Sequence, residues 1–149
     1  IRDYLHEIIS SFKEISKKEF VFNFDQDSNP KKISKSIEIV YGLRNFIGNA
    51  NKFAKNSIFI NLKSDSEFTE LTVEDDGNGY PRDIISKIGE PYLKSNYSKD
   101  KSKEGLGLGL FIGKTLLEKN FASVNCRNSK TRNGAEVVIR WKNKELFNI

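Results

Sequence analysis

The sequence predicts an α+β fold, in which a mixed β-sheet is covered on one face by helices to form a two-layer α/β sandwich. Five short runs alternate apolar and polar residues as strands do, and longer runs with apolar residues at helical spacing separate them. Helices stacked on one face of a sheet bury the apolar faces of both layers. A chain of 149 residues, 37% of them hydrophobic, is long enough to form one such core.

The first third of the chain predicts a helix, a strand and a second helix. Ile1 to Lys17 has the spacing of an amphipathic helix, and Glu19 to Phe24 alternates as a strand does. Asp25 to Lys32 is rich in turn residues and contains Pro30, so it predicts a connection. A serine, Ser34 or Ser36, is then expected to begin the second helix.

The rest of the chain predicts a hairpin, two helices and a final pair of strands. We found no internal repeat or domain boundary, so residues 1–149 are predicted to form a single domain. In order, the predicted elements are strands Ser57 to Lys63 and Phe68 to Asp75, helices Arg82 to Ile88 and Leu106 to Asn120, and strands Ala122 to Asn128 and Ala135 to Trp141, the last two joined by the polar loop Ser129 to Gly134.

Charge and cysteine content exclude or disfavour several classes of function. The net charge of +5 suggests a nucleic-acid binder, but the lysines are spread along the chain, which indicates a composition bias instead. No apolar run is long enough to cross a membrane. The single cysteine, Cys126, excludes an internal disulfide, and its strand-like surroundings predict a buried apolar role rather than redox sensing.

The second helix carries Asn45, Asn49 and Lys52 at spacings of four and three residues. These spacings place two amide oxygens and one ammonium group on the same helix face. Mg²⁺ prefers oxygen ligands and is often held partly by substrate phosphates, to which a lysine adds a positive charge. The face therefore suits a metal-bound polyphosphate, although asparagines that only bond to their neighbours would give the same pattern.

Two glycine-rich segments follow this helix. Gly77 and Gly79 allow a sharp turn after the predicted strand that ends at Asp75, whose carboxylate could accept a hydrogen bond from an exocyclic amine. The segment Gly105 to Gly109 precedes an apolar helical stretch, where backbone amides at a helix start bind anions. Either segment alone could be an ordinary turn. Together with the asparagine-bearing helix, they predict a site for ATP and Mg²⁺.

Two common nucleotide-binding motifs are excluded by position. A dinucleotide fingerprint that begins with Gly105 and Gly107 needs a third glycine at position 110, which is Leu110. A P-loop that ends at Thr115 needs its first glycine at position 108, which is Leu108.

The asparagine-bearing helix and the two glycine-rich segments occur in the same order as in the catalytic and ATP-binding domain of sensor histidine kinases, which this chain closely resembles. These kinases are a branch of the superfamily that includes gyrase B and MutL. The resemblance spans nearly the whole chain and implies a Bergerat-type ATP-binding fold. The segments Gly89 to Tyr92 and Gly109 to Glu118 resemble the redox-responsive RegB-type kinases in particular. Three residues depart from the usual pattern of the family: Tyr80, Leu106 and Ala135. Many relatives carry threonine at the position of Ala135, which implies a slightly different base pocket here.

The resemblance also implies a role for each matching residue. Asn49 would be the principal Mg²⁺ ligand, assisted by Asn45, and Lys52 would contact phosphate. Phe53 would pack on the adenine ring, and Asp75 would accept a hydrogen bond from its amino group. No catalytic residue is assigned beyond the ATP site. The complete expected binding set is Asn45, Asn49, Lys52, Phe53, Asp75, Gly77, Gly79, Gly105, Gly107, Gly109 and Leu110.

Residues 91–104 lie between the two glycine segments and are dense in lysine and serine. Composition alone indicates a solvated loop. In the family that this chain resembles, the same stretch is the ATP lid. We therefore expect a lid here, with lysines that reach the phosphates on closure: Lys94, Lys99, Lys101 and Lys103.

The function implied by the resemblance is that of a protein-histidine kinase, which transfers the γ-phosphoryl group of ATP to a histidine on a separate dimerisation domain. His6 is not expected to be that acceptor, because Ser11 occupies the position where the acceptor motif has proline. The chain is thus expected to lack the dimerisation, phosphoacceptor and sensor domains. The alternative is a regulatory or ATPase clamp module that closes on ATP without phosphorylating anything.

The implied partners are the protein's own dimerisation domain, within a full-length homodimer, and a downstream response regulator. No nucleic acid and no direct membrane contact by this domain are expected. The implied location is cytoplasmic, with an inner-membrane anchor of the full-length protein left open.

Overall fold

A computed structural model describes residues 1–24, 36–81, 85 and 106–146, without the side chains of residues 106 and 107. Several predicted features lie outside the described residues: the connection at 25–32, the helix at 82–88 except Ile85, the expected lid at 91–104, and Gly105.

The described elements follow the predicted order, and a short helix at Asn143–Leu146, which was not predicted, follows the last strand. Strands at 19–24 and 68–75 have the predicted bounds, and other ends differ by one or a few residues. In chain order the elements are α1 (Arg2–Lys13), β1 (Glu19–Phe24), α2 (Ile37–Phe53), β2 (Ser57–Ser64), β3 (Phe68–Asp75), α3 (Leu106–Lys119), β4 (Ser123–Asn128), β5 (Ala135–Lys142) and α4 (Asn143–Leu146).

The five described strands form one mixed sheet in the order β1-β2-β3-β5-β4. The pair β1 and β2 is parallel, and all other neighbours are antiparallel. The register aligns buried side chains across the sheet, as in the row of Ile60, Val73 and Val137. This arrangement confirms the predicted α+β fold with a mixed sheet.

One apolar core joins the helices to the inner face of the sheet. Leu5 of α1, Phe46 of α2 and Leu117 of α3 are buried in the same cluster as Ile60 and Trp141. On the opposite face of the sheet, residues such as Phe59, Glu70 and Arg140 are half-buried or exposed. The sheet is therefore apolar on the helix side, as a two-layer packing requires.

Helices α2 and α3 pack closely because each contributes a glycine to the contact. A Cβ at Gly42 would lie 2.7 Å from Cγ of Leu117, and one at Gly113 would lie 2.8 Å from Cε2 of Phe46. This close packing brings the asparagine-bearing face of α2 against the start of α3.

The structure decides between the two predicted starts of α2 and corrects the predicted end of α1. Ser36, one of the two proposed starting serines, is the N-cap of α2, and its Oγ accepts the N–H of Ile39 at 3.3 Å. Helix α1 ends at Lys13 rather than at Lys17, and beyond this end Ser16 donates its Oγ hydrogen to Oδ1 of Asn51. None of the described helices is both long and apolar enough to cross a membrane.

Candidate functional site

A cavity of about 320 Å³ opens between the C-terminal half of α2 and strands β3 and β5. It combines apolar walls with a few polar groups, which is the usual composition of a small-molecule site. The lining residues are Phe46, Asn49, Ala50, Lys52, Phe53, Val73, Asp75, Asn78, Gly79, Tyr80, Pro81, Ala135 and Val137.

Asp75, at the end of β3, is the carboxylate of this cavity and is only 3% exposed. Its Oδ1 accepts the backbone N–H groups of Gly77 at 2.8 Å and of Ala135 at 3.3 Å. Its Oδ2 accepts no hydrogen bond from the described residues. Burial raises the pKa of the Asp75 carboxyl above its ordinary value, and the two N–H groups offset this only in part. Asp75 thus offers one fixed oxygen and one oxygen open to a ligand.

Glycines allow the chain to approach itself closely around Asp75. A Cβ at Gly77 would lie 2.2 Å from the carbonyl oxygen of Phe53, and one at Gly134 would lie 1.9 Å from the carbonyl oxygen of Asp75. Gly79 has φ of +77°, in the left-handed region that favours glycine. Because no side chain fits at Gly77 or Gly134, both glycines are required for the local geometry.

Asn45 and Asn49 meet the start of α3. The position that a Cβ of Gly109 would occupy is 3.5 Å from Oδ1 of Asn49 and 3.7 Å from Oδ1 of Asn45. Asn45 donates Nδ2 to the carbonyl oxygen of Tyr41 at 2.8 Å, which orients its amide. Nδ2 of Asn49 is buried and has no hydrogen-bond partner among the described residues. The two amide oxygens therefore converge beside Gly109, although only Asn49 also lines the cavity.

Lys52 and Phe53 both line the cavity from the last turn of α2. Nζ of Lys52 lies 5.4 Å from the centroid of the Phe53 ring. Helix α2 thus places the amide of Asn49, the ammonium group of Lys52 and the ring of Phe53 along one wall of the cavity, while Asn45 of the predicted stripe lies outside the lining.

The second glycine segment is only partly described. Gly107 and Gly109 lie in the first turn of α3, where backbone N–H groups lack partners within the helix. Leu110 is completely buried in the core and is not among the residues that line the cavity.

Residues distant in sequence also shape the cavity. Asn128 on β4 accepts the backbone N–H of Tyr80 at 2.6 Å and donates to its carbonyl oxygen at 2.9 Å. Tyr80 in turn hydrogen-bonds to Cys126, and burial raises the pKa of the Tyr80 phenol and that of the Cys126 thiol, the latter to about 11. Cys126 is therefore a neutral, half-buried thiol. No sequence signal indicated the role of Asn128.

Comparison with known proteins identifies the family of this chain. Residues 34–145, about three quarters of the chain, match the family described as histidine kinase-, DNA gyrase B-, and HSP90-like ATPases. The sensor histidine kinase RegB of Cereibacter sphaeroides is 38% identical over 97 residues, covering 62% of this chain and 21% of RegB. The sensor protein RstB of Escherichia coli is 31% identical over 99 residues, covering 66% of this chain and 23% of RstB.

The chain thus spans about a fifth of the length of the curated relatives that it matches. Among solved structures, the nucleotide-free catalytic domain of histidine kinase ThkA has a TM-score of 0.77 at 21% identity, over 95% of this chain and 92% of that one. Full-length ShkA in complex with AMPPNP has a TM-score of 0.75 at 19% identity, over 93% of this chain and 29% of that one.

The structural matches show the shared fold, and the RegB match confirms the resemblance to RegB-type kinases. Since the family match covers well over half of the chain, this protein belongs to the histidine kinase-, DNA gyrase B- and HSP90-like ATPases and is homologous to the catalytic ATPase domain of sensor histidine kinases.

Proposed function

We propose that the cavity binds ATP with Mg²⁺ and that the domain transfers the γ-phosphoryl group to a histidine on a separate dimerisation domain. The observation that carries the proposal is the state of Asp75, a buried carboxylate that lines the cavity, with Oδ1 held by two backbone N–H groups and Oδ2 accepting no hydrogen bond from the described residues. Such a group selects a ligand with a hydrogen-bond donor at this point.

Adenine fits the chemistry around Asp75. Its exocyclic amine is a donor for Oδ2, and its flat ring suits the apolar walls formed by Ala50, Phe53, Val73 and Val137. Guanine presents a carbonyl oxygen where adenine has this amine. Two acceptors would then face each other in a buried site, which costs free energy because neither is satisfied.

The amide oxygens of Asn45 and Asn49 suit Mg²⁺, which is a hard cation with oxygen ligands. In the part of the chain that the structure describes, no group of three or more His, Cys, Asp or Glu side chains could hold a metal ion. The proposed ligands are therefore Asn49 as principal ligand, Asn45 as assistant and the ATP phosphates. Bound Mg²⁺ would neutralise phosphate charge. Lys52 and the first turn of α3 would position the phosphates.

The homology to sensor histidine kinases supports phosphoryl transfer as the reaction. Transfer of this kind depends mainly on positioning and charge stabilisation, so the domain would supply the ATP site while the nucleophile comes from the acceptor histidine. His6 is not that acceptor on this proposal. It is exposed on α1, and its ring packs 4.9 Å from the ring of Phe22. The proposed setting is a cytoplasmic homodimer that signals to a response regulator.

Labelled ATP tests this proposal directly. With Mg²⁺, the chain alone should bind ATP and remain unlabelled. When a separate dimerisation hairpin bearing the acceptor histidine is added, acid-labile phosphate should appear on the hairpin. The rate should be low, because breaking the covalent linkage removes an effective concentration of about millimolar order.

The control is Asp75→Asn, which should abolish most of this labelling at an ATP concentration near the dissociation constant of the unaltered chain. Acid-labile phosphate on His6 would contradict the proposed division of roles. ATP binding and hydrolysis without transfer to the hairpin would favour the ATPase clamp alternative.

A further inference from the structure

The C-terminal end of α2 is held by a lysine from another part of the chain. Nζ of Lys18 donates to the carbonyl oxygen of Asn51 and, at 3.3 Å, to that of Lys52. These carbonyls belong to the last turn of α2, where no further helical N–H is available to them. A cation at this end also interacts favourably with the helix dipole. Lys18 thus satisfies two carbonyl groups of the turn that carries Lys52 and Phe53.

The segment that contains Lys18 follows α1 and contacts the same corner at further points. Oγ of Ser16 donates to Oδ1 of Asn51 at 2.6 Å and accepts the backbone N–H of Lys18 at 3.1 Å. The backbone N–H of Glu19 donates to the carbonyl oxygen of Asn56 at 2.8 Å. Residues 16–19 therefore pack along the end of α2 as one hydrogen-bonded segment.

The opposite side of this corner is held by Asp76. Its carboxylate accepts the backbone N–H groups of Lys55 at 2.8 Å, Asn56 at 3.0 Å and Ser57 at 3.2 Å. Slight burial opposes ionisation, but these N–H groups outweigh it and lower the pKa of the Asp76 carboxyl. Asp76 thus fixes the connection from α2 to β2, while Asp75 beside it faces the cavity. Asp76 holds one side of this corner, and Lys18 with Ser16 holds the last helical turn from the other side.

We propose that Lys18 is a positioning residue of the nucleotide site: its ammonium group fixes the last turn of α2, sets the places of Lys52 and Phe53, and couples the segment after α1 to nucleotide affinity. The inference rests on the proposed ATP site and identifies a residue outside it that controls its affinity. Lys18 lines no part of the cavity and acts only through the backbone of α2. A displacement of α1 would therefore change the affinity for nucleotide through the contact between Lys18 and α2.

The test compares Lys18→Met with two matched variants. Lys17→Met removes the same charge from the exposed neighbouring residue, and Lys18→Arg keeps a cation that can donate to both carbonyl groups. Affinity for a fluorescent ATP analogue is measured with Mg²⁺, at a temperature where the fluorescence of buried Trp141 shows every variant to be folded. Lys18→Met should weaken binding by about three- to tenfold, within the range of a helix-terminus charge interaction. Lys17→Met should bind as the unaltered chain does, and Lys18→Arg should recover most of the loss.

Equal affinity of Lys18→Met and the unaltered chain would overturn the inference, as would an equal loss in Lys17→Met or no recovery in Lys18→Arg. If Lys18→Met does not fold, Ser16→Ala replaces it. That variant removes the bond to Asn51 and should weaken binding about twofold or more, whereas unchanged affinity would again overturn the inference. Failure of the proposed function is distinguishable, because the unaltered chain itself would then not bind the analogue.

Discussion

Replacing Asp75 by asparagine should separate nucleotide affinity from stability. Asparagine can keep an oxygen in the place of Oδ1, where the N–H groups of Gly77 and Ala135 donate. The other atom then becomes an NH₂ group that faces the adenine amine, donor against donor. A hydrogen bond to a charged group contributes about 1.5 to 3 kcal/mol, so the affinity for ATP should fall about ten- to a hundredfold.

The same substitution should not destabilise the domain at neutral pH. Burial raises the pKa of the Asp75 carboxyl in the folded chain, so its contribution to stability is present at low pH and is lost as the pH rises through the raised pKa. Asp75→Asn removes the buried charge. The variant should therefore equal or exceed the unaltered chain in unfolding free energy at pH 7, and this advantage should disappear toward pH 4 and below.

Two assays measure these effects. Calorimetry gives the ATP affinity, and urea unfolding followed by Trp141 fluorescence gives the stability as a function of pH. Glu70→Gln is the matched control, since Glu70 lies on the same strand but on the outer face, in a long ion pair of 4.0 Å with Arg140. Unchanged ATP affinity in Asp75→Asn would remove Asp75 from the base site. A large loss of stability at pH 7 would refute the account of the buried charge.

Two further predictions concern the contact between α2 and α3. Asn49→Ala should lower ATP affinity at least about tenfold with Mg²⁺ and much less without it, as measured by calorimetry, and equal losses in both conditions would contradict its role as a metal ligand. Gly109→Ala places a Cβ 3.3 Å from Nδ2 of Asn49, so Mg-ATP affinity should drop severalfold while helix propensity adds up to about 1 kcal/mol of stability in urea unfolding. Gly113→Ala is its control, because a Cβ 2.8 Å from the Phe46 ring should cost about 1 to 3 kcal/mol of stability. A loss of stability in Gly109→Ala together with a gain in Gly113→Ala would refute the packing argument.

Much of the fold was predictable because its signals are local. Strands β1 and β3 have the predicted bounds, since alternation of side chains and flanking turn residues are properties of neighbouring positions. The stripe of Asn45, Asn49 and Lys52 follows from helical spacing in the same way. Helix α1 was predicted too long because the apolar spacing continues beyond Lys13, whereas the chain after Lys13 is no longer helical and Ser16 bonds to Asn51 of α2.

The sequence by itself determined the order of the elements, the glycine turn after Asp75 and the family to which the chain belongs. Only the tertiary structure decided that Ala135, sixty residues away, supplies a backbone N–H to Asp75, that Asn128 holds Tyr80, and that Lys18 holds the end of α2. The physical reason is that these contacts use backbone N–H and C=O groups as donors or acceptors. Nearly every residue carries such groups, so side-chain identity does not reveal which of them a fold will bring together.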